Sequence, residues 1–119
     1  MTSPGQEFYD RQVALLAEND MDKLVERQYH PDAVLVHYEL GAVSGLEALK
    51  KHFKSYMEHL GYIKVLSTDM FHEVDDGIFF EATVETAGGI AEVYDAMTFQ
   101  DGKAIRHFTG LKSFRPKDS

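Results

Sequence analysis

The feature that most constrains this chain is a change of period at Gly61. Before it, apolar residues recur at helical spacing; after it they alternate, and short Gly- and Asp-containing punctuation cuts the alternation into strands joined by tight turns. The segment 62–74 reads as a long strand and "DDG" at 75–77 as a turn. Ile78–Thr86 is a second strand, "GG" at 88–89 another turn, and 91–110 a hairpin closed at "QDG". A meander of this kind has an apolar face to bury, and the helical half of the chain is what can cover it.

That half supplies three helices. Ser3 as N-cap, Pro4 at the first helical position and Gln6 three residues after the cap predict a helix to about Glu18, with Phe8, Tyr9, Leu15 and Leu16 as its apolar stripe and Gln12 in their midst. Asn19 and Asp20 break and recap the chain. Met21, Leu24 and Val25 then line a short helix that ends near "YHPD", residues 29–32, because the residue before Pro31 disfavours helix. "AVLVHYE", residues 33–39, reads as a strand, and the segment holding Gly41 and Gly45 as a loop. Residues 45–60 return to helical spacing, with Leu46, Leu49, Phe53, Tyr56, Met57 and Leu60 on one side and Gly61 as the stop. The order α-α-β-α-β-β-β-β describes one α+β domain over residues 1–119, its curved, mainly antiparallel sheet covered on one side by the helices. A pocket for a small molecule fits between the two layers.

Composition narrows the function. Twenty acidic against twelve basic residues give a net charge of −8, and scattered Lys and Arg argue against nucleic acid or an anionic membrane surface as partner. The chain has no Cys, which removes disulfides, thiolate metal sites and Cys nucleophiles. No basic leader with an apolar run and no stretch of about 18 apolar residues is seen, so a cytoplasmic protein without a membrane span is expected. His52 and His59 fall on different sectors of their helix, and no H-E-x-x-H, G-x-S-x-G, P-loop or dinucleotide fingerprint exists. Neither a metal nor a cofactor is expected.

The polar anomaly lies in the last hairpin. On "AEVYDAMTFQ" Ala91, Val93, Met97 and Phe99 share one face, and Asp95 falls on it. An ionised carboxylate is costly to bury unpaired, so it either finds a partner or becomes neutral. A two-residue Asp101-Gly102 turn would bring Arg106 opposite Met97 and onto the apolar face. A three-residue Gln100-Asp101-Gly102 loop instead sets Met97 opposite Ile105, Val93 opposite Thr109 and His107 directly opposite Asp95, and that register is the one expected. The Asp95–His107 pair reads either as a structural ion pair or as part of a site.

The order of elements, "ENDMDKLVERQYHPDAVLV" leading to "GLEALKKHF", and the terminal "VYDAMTFQDGKAIRHF" resemble the nuclear transport factor 2-like superfamily, particularly its ketosteroid isomerase and SnoaL-like polyketide cyclase branches. The resemblance runs from about Phe8 to Phe114 and implies a cone-shaped fold enclosing a pocket. Asp95 falls where the isomerases carry the protonated aspartic acid of their oxyanion hole, and His37, counted from Asp32 and Ala33, where they carry a general-base aspartate. The same count turns His37 and Leu35 inward. The isomerases' oxyanion tyrosine corresponds to Gln12, a second cavity tyrosine to Phe53, and the acid of the cyclases to Thr109.

The resemblance thus implies a cofactor-independent proton-transfer enzyme, an isomerase, cyclase or dehydratase, acting on a small, mainly apolar carbonyl or polyketide-like compound. His37 would be its base, since imidazole has a reference pKa of about 6.5. Asp95, if neutral, would donate to the developing enolate oxygen, with His107 orienting it or shuttling the proton. A protonated His107 would keep Asp95 ionised and make the two a His–Asp dyad instead. Gln12 and Tyr29 would complete the polar lining, with Leu35, Phe53, Met57, Val93, Met97 and Thr109 as core or pocket wall. The alternative is a non-catalytic binding or dimerisation module of the same fold. Phe79, Tyr94, Ala96 and Phe108, among Glu81, Thr83 and Thr98, make the outer sheet face apolar enough to expect a homodimer through it.

Overall fold

Ser3 opens the first helix as its chemistry implies. In the computed structural model, which describes residues 3–117, its hydroxyl accepts from the Gln6 N–H and α1 runs Pro4–Glu18. Asn19, in the left-handed conformation at φ 58°, ends it. Asp20 caps α2 (Met21–Gln28) by accepting from the Lys23 N–H. β1 (Tyr29–His37), β2 (Gly41–Ser44), α3 (Leu46–Leu60), β3 (Lys64–Val74), β4 (Gly77–Thr86), β5 (Gly89–Gln100) and β6 (Lys103–Pro116) complete the chain. The six strands form one sheet in the order β2-β1-β6-β5-β4-β3, antiparallel except where β1 lies parallel to β6.

Two elements differ from expectation. β1 starts directly after α2, because Tyr29 pairs with Ala104; the ladder is then irregular until Val34, and Pro31, which has no N–H to contribute, sits in that gap. Gly41–Ser44 is a strand and not a loop, since it pairs antiparallel with Val34–His37 and extends the sheet edge.

The helices cover the concave face of the sheet. Leu24, Val25 and Leu49 lose all contact with water and join Leu35, Phe53 and Met97 in one core cluster there; truncating Leu24 or Leu49 to Ala would cost about 2–5 kcal/mol. The N-terminus of α1 is tied to the far strand by Glu73, whose carboxylate accepts from the Gly5 N–H at 2.9 Å and from the Ser3 hydroxyl. A negative charge at that end of a helix also suits its dipole.

The register of the last hairpin corrects the expected one. Gln100 pairs with Lys103 across a two-residue turn in which Asp101 (φ 56°) and Gly102 (φ 78°) both take positive φ. Ile105 is then an extra residue on β6: Phe99 pairs with Ala104, but Thr98 already with Arg106. The bulge shifts the phase of β6 by one, so Ala104 and His107 both face inward while Arg106 stays outside. Met97 therefore lies opposite His107, not Ile105, and Val93 opposite Leu111, not Thr109. Asp95 lies opposite Thr109, with His107 its diagonal neighbour. On the outer face Phe79, Ala96 and Phe108 fall in one cross-strand row.

Candidate active site

The concave face is not filled along its whole length. Between α1, α3 and the inner residues of the sheet lies a cavity of about 1050 Å³, large enough for a drug-sized molecule. Its rim carries the exposed side chains of Tyr38, Leu40, Lys51, His59, Leu111 and Phe114. Nine of the residues singled out in the sequence line it: Gln12, Leu35, His37, Phe53, Val93, Asp95, Met97, His107 and Thr109. Tyr29 and Met57 do not reach it. Tyr29 is buried behind His107, and Met57 belongs to the core beside a shallower depression at the α1–α2 turn.

The sheet register arranges the polar groups. His37 pairs with Thr109, and Thr109 with Asp95, so β1, β6 and β5 present the three side chains in one row on the cavity side. Leu35, His107 and Met97 form the adjacent row. His37 and Asp95 are thus two strand spacings apart, about 10 Å between Cα atoms. His37 points into the fold and not to solvent, and Asp95 has a cavity beside it.

His37 ends β1, and the turn after it uses one of its nitrogens. Nδ1 accepts from the backbone N–H of Glu39 at 3.1 Å and of Leu40 at 3.2 Å. A neutral imidazole that accepts at Nδ1 carries its hydrogen on Nε2. Among the described residues nothing bonds Nε2, so His37 offers the cavity a donor. Tyr38 stacks on its ring, while His52 and Tyr56 of α3 meet it edge-on.

Asp95 and His107 meet across the diagonal. His107 Nε2 lies 2.7 Å from Asp95 Oδ1, and His107 Nδ1 lies 2.7 Å from the Tyr29 hydroxyl. Both imidazole nitrogens are therefore engaged, and His107 has none left for a ligand. Asp95 keeps Oδ2, which no other described residue bonds. Behind Tyr29 the chain of hydrogen bonds continues into the core: Gln12 Nε2 donates to the Tyr29 oxygen at 3.3 Å, and Gln28 Nε2 donates to Gln12 Oε1 at 3.2 Å.

Burial shapes the remaining titrations. The Tyr29 phenol is pushed far above its ordinary value by burial, helped by the nearby Asp95 charge, so it keeps its proton. Burial and the same charge raise Tyr56 to about 12. His52 is lowered from 6.5 chiefly by burial, so at neutral pH it is uncharged. Among the described residues no three His, Asp or Glu side chains converge as a metal site would require.

Comparison with known proteins agrees with this construction. Residues 7–107 match the SnoaL-like domain family. The chain belongs to that family. Solved structures share the nuclear transport factor 2-like fold of this SnoaL-like domain at low identity. TerC co-crystallized with polyporic acid is 23% identical with a TM-score of 0.76, and the match covers 92% of each chain. A nuclear transport factor 2-like protein from Anabaena variabilis ATCC 29413 is 16% identical with a TM-score of 0.80, covering 95% of each. A Jannaschia sp. CCS1 protein provisionally assigned as a SnoaL-like polyketide cyclase is 13% identical with a TM-score of 0.75, covering 93% of this chain and 89% of the other. No curated protein sequence matches the chain.

The SnoaL-like domain also brings to the site residues that the sequence reading did not assign to it. His52, Tyr38 and Tyr9 line the cavity, Tyr9 with its hydroxyl bonded to Thr68 at 2.5 Å. Gln28, fully buried outside the cavity, is the other omission. It sits seven residues after Met21 on the apolar stripe of α2, a polar residue in a core position, which is the same signal that marks Asp95.

Proposed function

We propose that this SnoaL-like domain is a cofactor-independent enzyme that moves a proton on a small, mainly apolar carbonyl or polyketide-like compound, as an isomerase, cyclase or dehydratase. One observation carries the proposal: two unengaged polar atoms of opposite hydrogen-bonding character, Asp95 Oδ2 and His37 Nε2–H, border one apolar-walled cavity from strands two apart. TerC, of the same fold, is co-crystallized with polyporic acid, which supports a small-molecule ligand.

On the strength of these hydrogen bonds we read the roles differently from the family resemblance. Asp95, accepting the His107 Nε2–H at Oδ1, is the base: its Oδ2 takes the proton from the carbon next to the substrate carbonyl. His37 Nε2–H donates to the carbonyl oxygen as negative charge builds there. The enolate then has three exits. Protonated Asp95 returns the proton to another carbon, giving an isomer; the enolate carbon attacks a second carbonyl and closes a ring; or a β-hydroxyl leaves with the proton, releasing water. The apolar walls strengthen both contacts by excluding water.

Deuterium exchange at the α-carbon of a cyclic β-diketone, followed by NMR in D₂O, tests this. Acceleration by the wild type is expected, with Asp95→Asn losing about 10²- to 10⁴-fold at unchanged folding. Exchange by Asp95→Asn at the wild-type rate removes Asp95 as the base. Binding of ketone probes without any acceleration leaves the domain a ligand-binding module.

A further inference from the structure

The chain of buried hydrogen bonds behind Asp95 has a direction, and that direction is set at its far end. Gln28 is held by two contacts of unambiguous chemistry. The Phe8 carbonyl can only accept, so the Gln28 atom 3.0 Å from it is the amide nitrogen. The Arg11 Nε can only donate, so the atom 3.2 Å from it is the amide oxygen. With its orientation fixed, the second Gln28 N–H donates to Gln12 Oε1, which turns the Gln12 nitrogen toward Tyr29. The Tyr29 oxygen accepts from Gln12, and its own hydrogen goes to His107 Nδ1. His107 is left with its proton on Nε2, donated to Asp95 Oδ1.

We propose that Gln28 is a positioning residue: through Gln12 and Tyr29 it keeps His107 Nδ1 free of a proton, so that His107 stays neutral and Asp95 faces a hydrogen-bond donor instead of a positive charge. This rests on reading Asp95 as the base. An imidazolium beside Asp95 would hold it ionised but lower its affinity for a proton, making it a weaker base. To form one, Nδ1 must gain a proton, and the Tyr29 hydrogen must then turn away from it. Gln12 already donates to the Tyr29 oxygen from the other side, so the buried hydroxyl would lose its acceptor. Phenol ionisation offers no escape, because burial holds the Tyr29 proton firmly. The Asp95 end alone leaves three states open: a neutral His107 with its proton on Nε2, an imidazolium, or a protonated Asp95 donating to Nε2; the last two put a proton on Nδ1, and the Gln28 end excludes both.

Nitrogen-15 NMR of the histidine side chains tests the proposal, since protonated and bare ring nitrogens resonate in separate regions. The wild type at neutral pH is expected to show His107 with a bare Nδ1 and a protonated Nε2; a protonated Nδ1 would overturn the proposal. Gln28→Glu supplies only acceptors, so Gln12 must turn its nitrogen to residue 28 and its oxygen to Tyr29. Tyr29 then donates to Gln12 and accepts from His107 Nδ1. The expected result is the Nδ1 signal moving into the protonated region at the same pH. Gln12→Glu reverses the chain one link later while leaving Gln28 on Phe8 and Arg11, and covers the case in which Gln28→Glu does not fold. A bare Nδ1 in both variants, or in Gln12→Glu alone if it is the one that folds, refutes control from the Gln28 end. Loss of a packing contact would not transfer a proton to one chosen nitrogen. The measurement needs no substrate, so its failure is separate from that of the enzyme reading: a correct proton position without turnover removes the enzyme, and turnover with a protonated Nδ1 removes only the relay.

Discussion

Replacing Tyr29 by Phe deletes one oxygen atom from the middle of this chain and leaves the ring in place. The ring keeps its tilted contact with Phe53, centroids 5.6 Å apart, and its stacking on His107 at 5.9 Å. What is lost is the oxygen that accepts from Gln12 and donates to His107. A buried polar atom stripped of its partner costs about 1–3 kcal/mol. His107 Nδ1 is such an atom, in a residue only 4% exposed. Gln12 stands on the cavity wall, where water can meet its nitrogen at small cost. The sum is a destabilisation of about 2 kcal/mol, or about 5–10 °C in Tm for a chain of this length.

Urea denaturation measures this, with the loss read as a lower midpoint at unchanged m-value. Tyr56→Phe is the control. That ring also lines the cavity, but its hydroxyl bonds no described residue, so its removal should fall within about 0.5 kcal/mol of wild type. Equal midpoints for Tyr29→Phe and Tyr56→Phe would refute the claim that the chain holds the fold together. A double-mutant cycle of Tyr29→Phe with Gln12→Leu sharpens the test, since contacting members of one network should couple by at least about 0.5 kcal/mol.

Three further outcomes are expected. Gly89→Ala should cost about 3 kcal/mol in the same titration, because its φ of 155° suits glycine and an added Cβ would sit 2.1 Å from the Arg115 carbonyl oxygen; a wild-type midpoint would contradict this. His52 has a folded pKa below its ordinary 6.5, so the unfolded chain binds the proton first and stability should fall as the pH drops through the window just below 6.5; His52→Gln should flatten that part of the Tm–pH curve, and identical curves would refute the coupling. The outer row of Phe79, Ala96 and Phe108, with Tyr94 beside it, is proposed as a homodimer face: wild type should sediment at twice 13.5 kDa and Phe108→Glu as a monomer, whereas a wild-type monomer at micromolar concentration would rule the dimer out.

How far the fold was legible follows from where the signals are chemical. Ser3, Asn19 and Gly61 bound their helices because a cap needs a particular side chain or a particular φ, and residue type reports both. β2 was not legible: a short Gly-bounded edge strand is made by its partner, and Gly41–Ser44 carries no strand pattern of its own. The hairpin register was misread for a similar reason. Keeping Arg106 off the inner face is a sound requirement, but the bulge at Ile105 meets it, and a bulge of this kind has no residue signature. Asp95 and His107 meet all the same, because diagonal neighbours on one face remain within reach of a carboxylate and an imidazole.

The lining of the cavity was legible in the sequence and the atoms left free in it were not, because residue type reports which atoms a side chain has, not which of them the fold consumes. By type His37 is the better base at neutral pH, yet its turn takes Nδ1 with two backbone donors and leaves the hydrogen on Nε2, at the cavity lining. His107, the other imidazole, spends both nitrogens on Tyr29 and Asp95. What remains is one carboxylate oxygen on an apolar face. Its presence there follows from the same bonds: His107 supplies the donor that makes burial of the charge tolerable, and Gln28, far from any ligand, keeps that donor from becoming a competing charge. A polar residue on a buried stripe is therefore informative twice, as a member of a site at Asp95 and as the anchor of its proton positions at Gln28.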